Sequence, residues 1–80
     1  MQRTSVDSSM MASVGYDAAS HTLEIEFQSG RVYQYFDVPR RVHRELMKAD
    51  SHGCYFNEWI RDEYAYSRLT PRRRSFARAW

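Results

Sequence analysis

The pattern that most constrains the fold is an alternation of apolar and polar residues between positions 21 and 38. Ahead of a Ser29-Gly30 turn, the apolar members are Leu23, Ile25 and Phe27. A period of two is typical of a strand with one buried and one hydrated face. Residues 31–38, after the turn, are rich in β-branched and aromatic side chains, which favour strands. The pattern therefore predicts a β-hairpin.

Segments on both sides of the hairpin complete the predicted architecture. A strand around Met11–Tyr16 would pair with the hairpin, because two strands alone are marginally stable. Pro39 ends the β pattern, and Arg40–Ala49 has apolar residues at helical spacing. Asp50–Gly53 interrupts this helix, and apolar residues every four positions from 56 to 64 predict a second short helix. We therefore expect an α+β fold, a three-stranded antiparallel β-meander followed by two helices packed on one face (β-β-β-α-α).

The length of the hairpin loop decides where Tyr33 and Tyr35 lie. A two-residue loop, Ser29-Gly30, would place both rings on the hydrated face, where they would offer a stacking platform for bases. A three-residue loop beginning at Gln28 would place both rings in the core. Turn chemistry favours the longer loop, because Gly30 then takes the left-handed position and Ser29 is not forced to a positive φ. A one-residue slip would reverse every side chain, so we expect the register that buries the rings.

Charge is distributed unevenly along the 80 residues, although the net charge is only +2. Five of the 12 basic residues lie in residues 68–80, which contain no acidic residue. Residues 1–67 therefore hold seven basic and 10 acidic residues, a net charge of −3. Pro71 disfavours a helix that continues into the arginine run. This length and pattern predict one small folded domain over residues 1–67 and a basic tail over residues 68–80.

Several functional classes are disfavoured by composition and spacing. The sequence has neither the apolar run of a membrane span nor that of a signal peptide, so we expect a cytoplasmic protein. The single Cys54 excludes an internal disulfide framework. Asp50, Ser51 and His52 are consecutive and cannot form the hydrogen-bond chain of a catalytic triad. His43, His52 and Cys54 lack a recognisable metal-ligand spacing. We therefore expect no catalytic site, metal or cofactor.

A longer pattern of spaced residues runs through the predicted domain. Its hairpin portion is Leu-x-Ile-x-Phe-x-x-Gly-x-x-Tyr-x-Tyr-x-x-Val-Pro, from Leu23 to Pro39, and its helical portion is Ser-x-Gly-x-x-Phe-Asn, from Ser51 to Asn57. Together these portions resemble the KTSC domain, and the resemblance covers about residues 5–66. The characteristic positions are Gly30, Tyr33, Tyr35, Pro39, Ser51, Gly53, Phe56 and Asn57.

The resemblance implies a context rather than a chemistry. KTSC domains occur as small stand-alone bacterial proteins and as extensions of some lysyl-tRNA synthetases, from whose C-terminal region the name derives. That fusion suggests RNA binding, and it implies no catalytic role. The basic tail lies outside the resemblance.

The first functional hypothesis is binding to RNA, tRNA in particular, or to a protein of RNA processing or translation. The candidate nucleic-acid-binding residues lie on the first predicted helix and in the tail: Arg40, Arg41, Arg44, Lys48, Arg72, Arg73, Arg74 and Arg78. Phe76 and Trp80, which are interleaved with the tail arginines, would stack on unpaired bases.

The alternative hypothesis is a protein-interaction or accessory module that does not bind nucleic acid. In this case Val32, Phe36 and Trp59 would supply exposed aromatic and apolar contacts for a partner. Asn57 and Arg61 are four residues apart on the second predicted helix and would form either a polar ligand contact or an ordinary surface pair.

Overall fold

The computed structural model of the chain describes residues 1–69, which form five strands and two helices. The elements in chain order are β1 Arg3–Ser5, β2 Met11–Asp17, β3 Thr22–Phe27, β4 Val32–Tyr35, α1 Arg40–Lys48, α2 His52–Trp59 and β5 Tyr66–Leu69. The strands form one antiparallel sheet whose order follows the chain, β1-β2-β3-β4-β5. The α+β fold with an antiparallel sheet and two helices is therefore confirmed.

The β3–β4 hairpin has the three-residue loop that its turn chemistry favours. The backbone N–H of Phe27 donates a 2.9 Å hydrogen bond to the carbonyl of Arg31, which closes the loop. Gly30 has a φ of 93°, a conformation that residues with a Cβ rarely adopt. In this register Tyr33 and Tyr35 stand opposite two buried residues of β3, so the expected register is confirmed.

The core lies between one face of the sheet and the two helices. Its buried hydrophobic residues are Met11, Val14, Leu23, Ile25, Tyr35, Val38, Val42, Leu46, Phe56 and Ile60. On α1, His43 stacks on the Tyr16 ring of β2 with centroids 4.8 Å apart. On α2, Phe56 makes edge contacts with Phe27 and Tyr35, each at 5.5 Å. Both helices therefore pack on the same face of the sheet.

The opposite face of the sheet is hydrated and partly acidic, as the alternation predicts. Glu24 accepts a 2.9 Å hydrogen bond from the Gln34 amide and forms a 3.3 Å ion pair with Arg3. Gly15 lies between Arg3 and Glu24 in the same cross-strand row, and a Cβ there would lie 2.8 Å from Cγ of Arg3. The glycine thus lets the Arg3 side chain cross the sheet to reach its carboxylate partner.

The two ends of α2 are determined by different features. At its start, the Ser51 hydroxyl accepts a 3.2 Å hydrogen bond from the backbone N–H of Cys54, which is an N-cap contact. At its end, the helix stops at Trp59, so the apolar spacing that continues to Tyr64 overestimates its length. After Trp59 the chain turns back, and β5 then pairs with the edge of β4. At nine and eight residues, neither helix of the described range 1–69 is long enough to cross a membrane.

The expected three-stranded sheet is wrong in number, because β1 and β5 add a strand at each edge. All residues of both added strands are exposed, so neither strand has the apolar alternation that reveals the others. In β5, Arg68 and Leu69 pair with β4, which extends the regular structure two residues beyond the expected domain end at Ser67.

The contribution of β5 can be tested by comparing a chain that ends at Ala65 with one that ends at Leu69. We expect the shorter chain to unfold with a free energy lower by about 2 kcal/mol, since it loses about four ladder hydrogen bonds worth about 0.5 kcal/mol each at an exposed edge. Urea denaturation followed by circular dichroism measures the difference. Equal midpoints and slopes for the two chains would show that β5 does not stabilise the fold.

Candidate functional site

Three cations form a line along the outer side of α1, and we call this line the basic stripe: Arg40, Arg44 and Lys48. Their spacing of four residues places them on one side of the helix, about 6 Å apart along its axis. The opposite side of α1 is fixed in the core by Val42 and Leu46. All three cations are exposed, so the basic stripe is open to a ligand in solution.

Arg41 differs from the residues of the basic stripe in having an acidic partner. Its guanidinium lies 3.9 Å from the Glu45 carboxylate, and both side chains are largely exposed. Arg41 and Glu45 also border a surface cavity that is lined by a second acid, Glu63. The structure therefore divides the four helix residues predicted for nucleic-acid binding into three that align and one that faces carboxylates.

A second feature, which we call the aromatic cleft, opens on the helix-bearing side of the sheet next to β5. It is an open depression of about 440 Å³, lined by Met10, Phe27, Tyr33, Tyr35, Phe56, Arg61, Asp62 and Tyr66. The Tyr66 ring lies 5.7 Å from the Tyr33 ring and 5.7 Å from the Tyr35 ring, measured between centroids. Three of the eight characteristic positions, Tyr33, Tyr35 and Phe56, therefore meet in this cleft.

The tyrosines of the aromatic cleft differ in exposure. Tyr35 is 5% exposed and forms the floor, as the favoured hairpin register predicts. Tyr33 is only half-buried, and Tyr66 on the edge strand is 59% exposed. A stacking surface thus exists even though the favoured register places Tyr35 in the core, because β5 adds a ring that the hairpin alone does not contain.

Charged groups surround the aromatic cleft. Arg61 and Asp62 follow α2 and are exposed at its mouth. Arg68 of β5 stands opposite Tyr33 in the β4–β5 register but lines a different cavity with Arg3 and Glu24. Burial, together with the neighbouring Tyr33 and Tyr66 hydroxyls, raises the pKa of Tyr35 to about 12, and the positive charge of Arg61 opposes this rise. Tyr35 is therefore a neutral ring at physiological pH, and the cleft offers both a cation and a carboxylate next to it.

Four other characteristic positions shape the backbone and stand outside both features. Gly30 supplies the loop conformation, Pro39 is the N-cap of α1 and Ser51 caps α2. Gly53 lies against Met10, whose sulfur would be 3.1 Å from a Cβ at this position. Their residue types are explained by local structure.

Several residues that the sequence groups together are separate in the fold. Asn57, the remaining characteristic position, is exposed beside Cys54, whereas Arg61 lines the aromatic cleft. Val32 borders a cavity next to the hydrated face, and Trp59 is 57% exposed on α2. Asn57 and Arg61 thus border different cavities, and of the predicted docking residues Val32, Phe36 and Trp59, Val32 and Trp59 lie on opposite sides of the sheet.

The side chains considered for catalysis have structural partners. Ser51 caps α2, and Nδ1 of His52 lies 2.8 Å from the carbonyl oxygen of Leu46. His43 stacks on Tyr16, and burial lowers the pKa of His43. Within residues 1–69, no group of three or more His, Cys, Asp or Glu side chains is arranged to hold a metal ion.

The remaining predicted residues are in the tail. Arg72, Arg73, Arg74 and Arg78, with the interleaved Phe76 and Trp80, lie outside the described residues. Tyr66, in contrast, lines the aromatic cleft but escapes prediction from the sequence. The signal for it is a short alternation, Tyr64-x-Tyr66, which is too brief to indicate a strand by itself.

Comparison with known proteins identifies relatives of nearly the whole domain. The family model of the KTSC domain matches residues 7–64. An uncharacterised protein of Stutzerimonas stutzeri is 41% identical over 70 residues, which cover 86% of this chain and 99% of that protein. The crystal structure of a KTSC domain protein from Yersinia pestis superposes with a TM-score of 0.82 at 38% identity and covers 86% of this chain and 97% of that one.

Larger proteins contain the same segment. A lysine–tRNA ligase of Trichormus variabilis is 44% identical over 55 residues, which are 69% of this chain but only 10% of the ligase. A ligase of the same name from a Nostoc species is 38% identical over 64 residues, 80% of this chain and 11% of the ligase. The chain thus spans about a tenth of these ligases.

The environment of Tyr35 predicts a loss of stability at alkaline pH. The pKa of Tyr35 is about 12 in the folded chain and about 10 in an unfolded one, so the unfolded state releases its proton first. The stabilisation is complete below pH 10 and is lost as the pH rises from 10 to 12. We expect Tyr35→Phe to reduce this decline, as measured by urea unfolding at a series of pH values.

Tyr55 complicates this measurement, because burial and its hydrogen bond to Glu45 also raise its pKa to about 12. The comparison is therefore made in a Tyr55→Phe background as well as in the natural sequence. An alkaline decline that Tyr35→Phe leaves unchanged in both backgrounds would contradict the assigned environment of Tyr35.

Proposed function

This chain belongs to the KTSC domain family, and on that premise we propose that it is a small non-enzymatic module that binds RNA, with tRNA as the first candidate. The basic stripe contacts the phosphate backbone, and the arginines of the tail add further phosphate contacts. The observation that carries this proposal is the alignment of three exposed cations on one side of α1.

The basic stripe supports the proposal through the contrast with its surroundings. Residues 1–67 carry a net charge of −3, so a positive surface on this domain requires a local cluster of basic residues. Among residues 1–69, two of the remaining basic side chains form ion pairs, Arg3 with Glu24 and Arg41 with Glu45. The stripe instead presents its cations together to solvent, and such local clusters govern phosphate binding.

The relatives support a connection with tRNA. In the ligases of Trichormus and Nostoc, the matching segment is a small part of a protein whose name states that it joins lysine to tRNA. A small module in such a protein would assist by holding RNA. The stand-alone relative from Stutzerimonas shows that the same segment also makes up nearly an entire protein.

The tail supports the proposal through its sequence. The run from Arg72 to Arg74 begins three residues after Leu69, the last residue of β5. Arginine pairs with phosphate through a planar fork of donors and stacks on bases. Because the tail is joined directly to the sheet edge that borders the aromatic cleft, its charges are close to the folded domain along the chain.

A protein-interaction module is the second candidate function, and the exposure of Trp59 favours it. This side chain is 57% exposed, and its ring lies 6.4 Å from that of Tyr55. Exposed tryptophan is enriched in the contacts that dominate protein interfaces. Arg41 and Glu63 flank this surface, so it would suit a partner with mixed polarity.

Charge removal on α1 tests the RNA proposal. We expect the triple variant Arg40→Gln, Arg44→Gln, Lys48→Gln to bind tRNA more weakly and with a lower salt dependence. The slope of log K against log salt concentration is negative, and loss of three phosphate contacts makes it shallower by about 2. Fluorescence anisotropy with labelled tRNA from low to physiological salt measures both quantities.

Two comparisons sharpen this test. Arg41→Gln removes one charge from the same helix but from the side that faces Glu45, so it should weaken binding less than Arg44→Gln. A chain that ends at Leu69 should lose affinity, since it lacks the tail arginines. Absence of binding to tRNA at low salt would rule out the proposed function and favour the protein-interaction module.

A further inference from the structure

The aromatic cleft has features that packing of the core does not explain. The burial of Tyr35 contributes to stability, but the Tyr66 ring is 59% exposed beside the half-buried Tyr33 ring. The exposed ring does not stand alone, because it lies 5.7 Å from the Tyr33 ring and 5.7 Å from the Tyr35 ring. A contiguous apolar surface of this kind, rimmed by polar residues, is typical of a binding site.

The volume and the ring arrangement of the aromatic cleft suit a small planar group. Its volume of about 440 Å³ falls in the range of about 300–1,000 Å³ that is usual for small-molecule sites. The rings of Tyr33 and Tyr66 are tilted by 52° to each other, so they form an open angle rather than a closed stack. A planar group can lie against one ring and meet the edge of the other.

The polar groups at the mouth select among planar ligands. Arg61 offers donors and a positive charge, and Asp62 offers an acceptor. A nucleobase carries both donors and acceptors on its edges, and its phosphate is an anion. A hydrocarbon ligand would use neither group, whereas a phosphate alone would use Arg61 and leave the rings and Asp62 without a contact. The combination of two rings, a donor and an acceptor thus fits a base that is joined to a phosphate.

From this combination we propose that the aromatic cleft holds one unpaired nucleobase, stacked on Tyr66 and Tyr33, while Arg61 contacts the adjoining phosphate. The proposal rests on the proposed function, since the base belongs to the RNA that the basic stripe holds. Both features lie on the helix-bearing side of the sheet, so one strand of RNA approaches them from the same side.

A preference for single-stranded RNA follows from this assignment. Bases in a duplex are stacked and paired and cannot enter a cleft, whereas bases in loops and single strands can be splayed onto aromatic side chains. The basic stripe alone would not distinguish the two forms to this extent, because both carry phosphates. A preference for single-stranded over duplex RNA is therefore the result expected from binding in the aromatic cleft.

The first test compares a short single-stranded RNA of mixed sequence with the duplex that it forms with its complement. We expect Tyr66→Ala to weaken binding of the single strand about tenfold, the size typical of one stacked base, and to leave duplex binding unchanged. Tyr66→Phe retains the ring and should bind as the natural chain does. Trp59→Ala, which removes an equally exposed aromatic outside the cleft, should change neither affinity.

Folding of each variant is checked by circular dichroism and thermal unfolding. Because the Tyr66 side chain is largely exposed, its replacement should leave the fold intact, and the phenylalanine variant provides a second measurement if the alanine variant is destabilised. Equal binding of the single strand by Tyr66→Ala and the natural chain would overturn the cleft assignment.

Free mononucleotides separate failure of this inference from failure of the proposed function. We expect adenosine monophosphate to shift the NMR resonances of the Tyr33 and Tyr66 rings and of the Arg61 side chain, also in the triple variant of the basic stripe. Such shifts in a chain that binds no RNA at low salt would contradict the proposed function alone. RNA affinity that depends on the stripe but not on Tyr66 would contradict the cleft alone.

A different ligand class is also distinguished by these signals. Tyrosine-lined grooves in other proteins hold proline-rich peptides, which supply no phosphate for Arg61. A proline-rich peptide that shifts the cleft resonances, when adenosine monophosphate does not, would overturn the nucleobase assignment.

Discussion

The left-handed conformation of Gly30 in the β3–β4 loop is the constraint on which the rest of the structure depends. It permits the three-residue loop closed by Phe27 and Arg31, and that loop sets which face of β4 carries Tyr33 and Tyr35. A slip of one residue would place Tyr33 and Tyr35 on the hydrated face with the glutamates of β3. The core and the aromatic cleft are both consequences of this single register.

Within that register, the tyrosines of the aromatic cleft differ in how deeply they are buried. Tyr35 lies beneath the edge of α2 and packs on Phe56, so it contributes to the core and is neutral at physiological pH. Tyr66 reaches the same cluster from the edge strand and remains exposed. A cluster that is anchored at its base and open at its rim can hold a ligand without reorganising the core, which lowers the entropic cost of binding.

How far the sequence predicts this structure depends on whether burial leaves a periodic signal. The hairpin and α1 are predictable because Leu23 and Ile25, like Val42 and Leu46, recur at the period of their element. Strands β1 and β5 have exposed residues only, so their place in the sheet is set by pairing with neighbours that the sequence does not identify. The basic stripe is predictable from helical spacing. The aromatic cleft is only partly predictable, because Tyr66 belongs to β5, which has no periodic apolar pattern.

The two sides of the sheet carry different sets of charged residues. Glu24 and Glu26 lie on the hydrated face, where they interact with Arg3, Gln34 and Ser13. The basic stripe and Arg61 belong to the helix-bearing side. This second side also carries the exposed acids Glu45, Glu58, Asp62 and Glu63, so its positive potential is concentrated at the basic stripe. The proposed contact with phosphate therefore depends on a local cluster of cations rather than on the net charge of the domain.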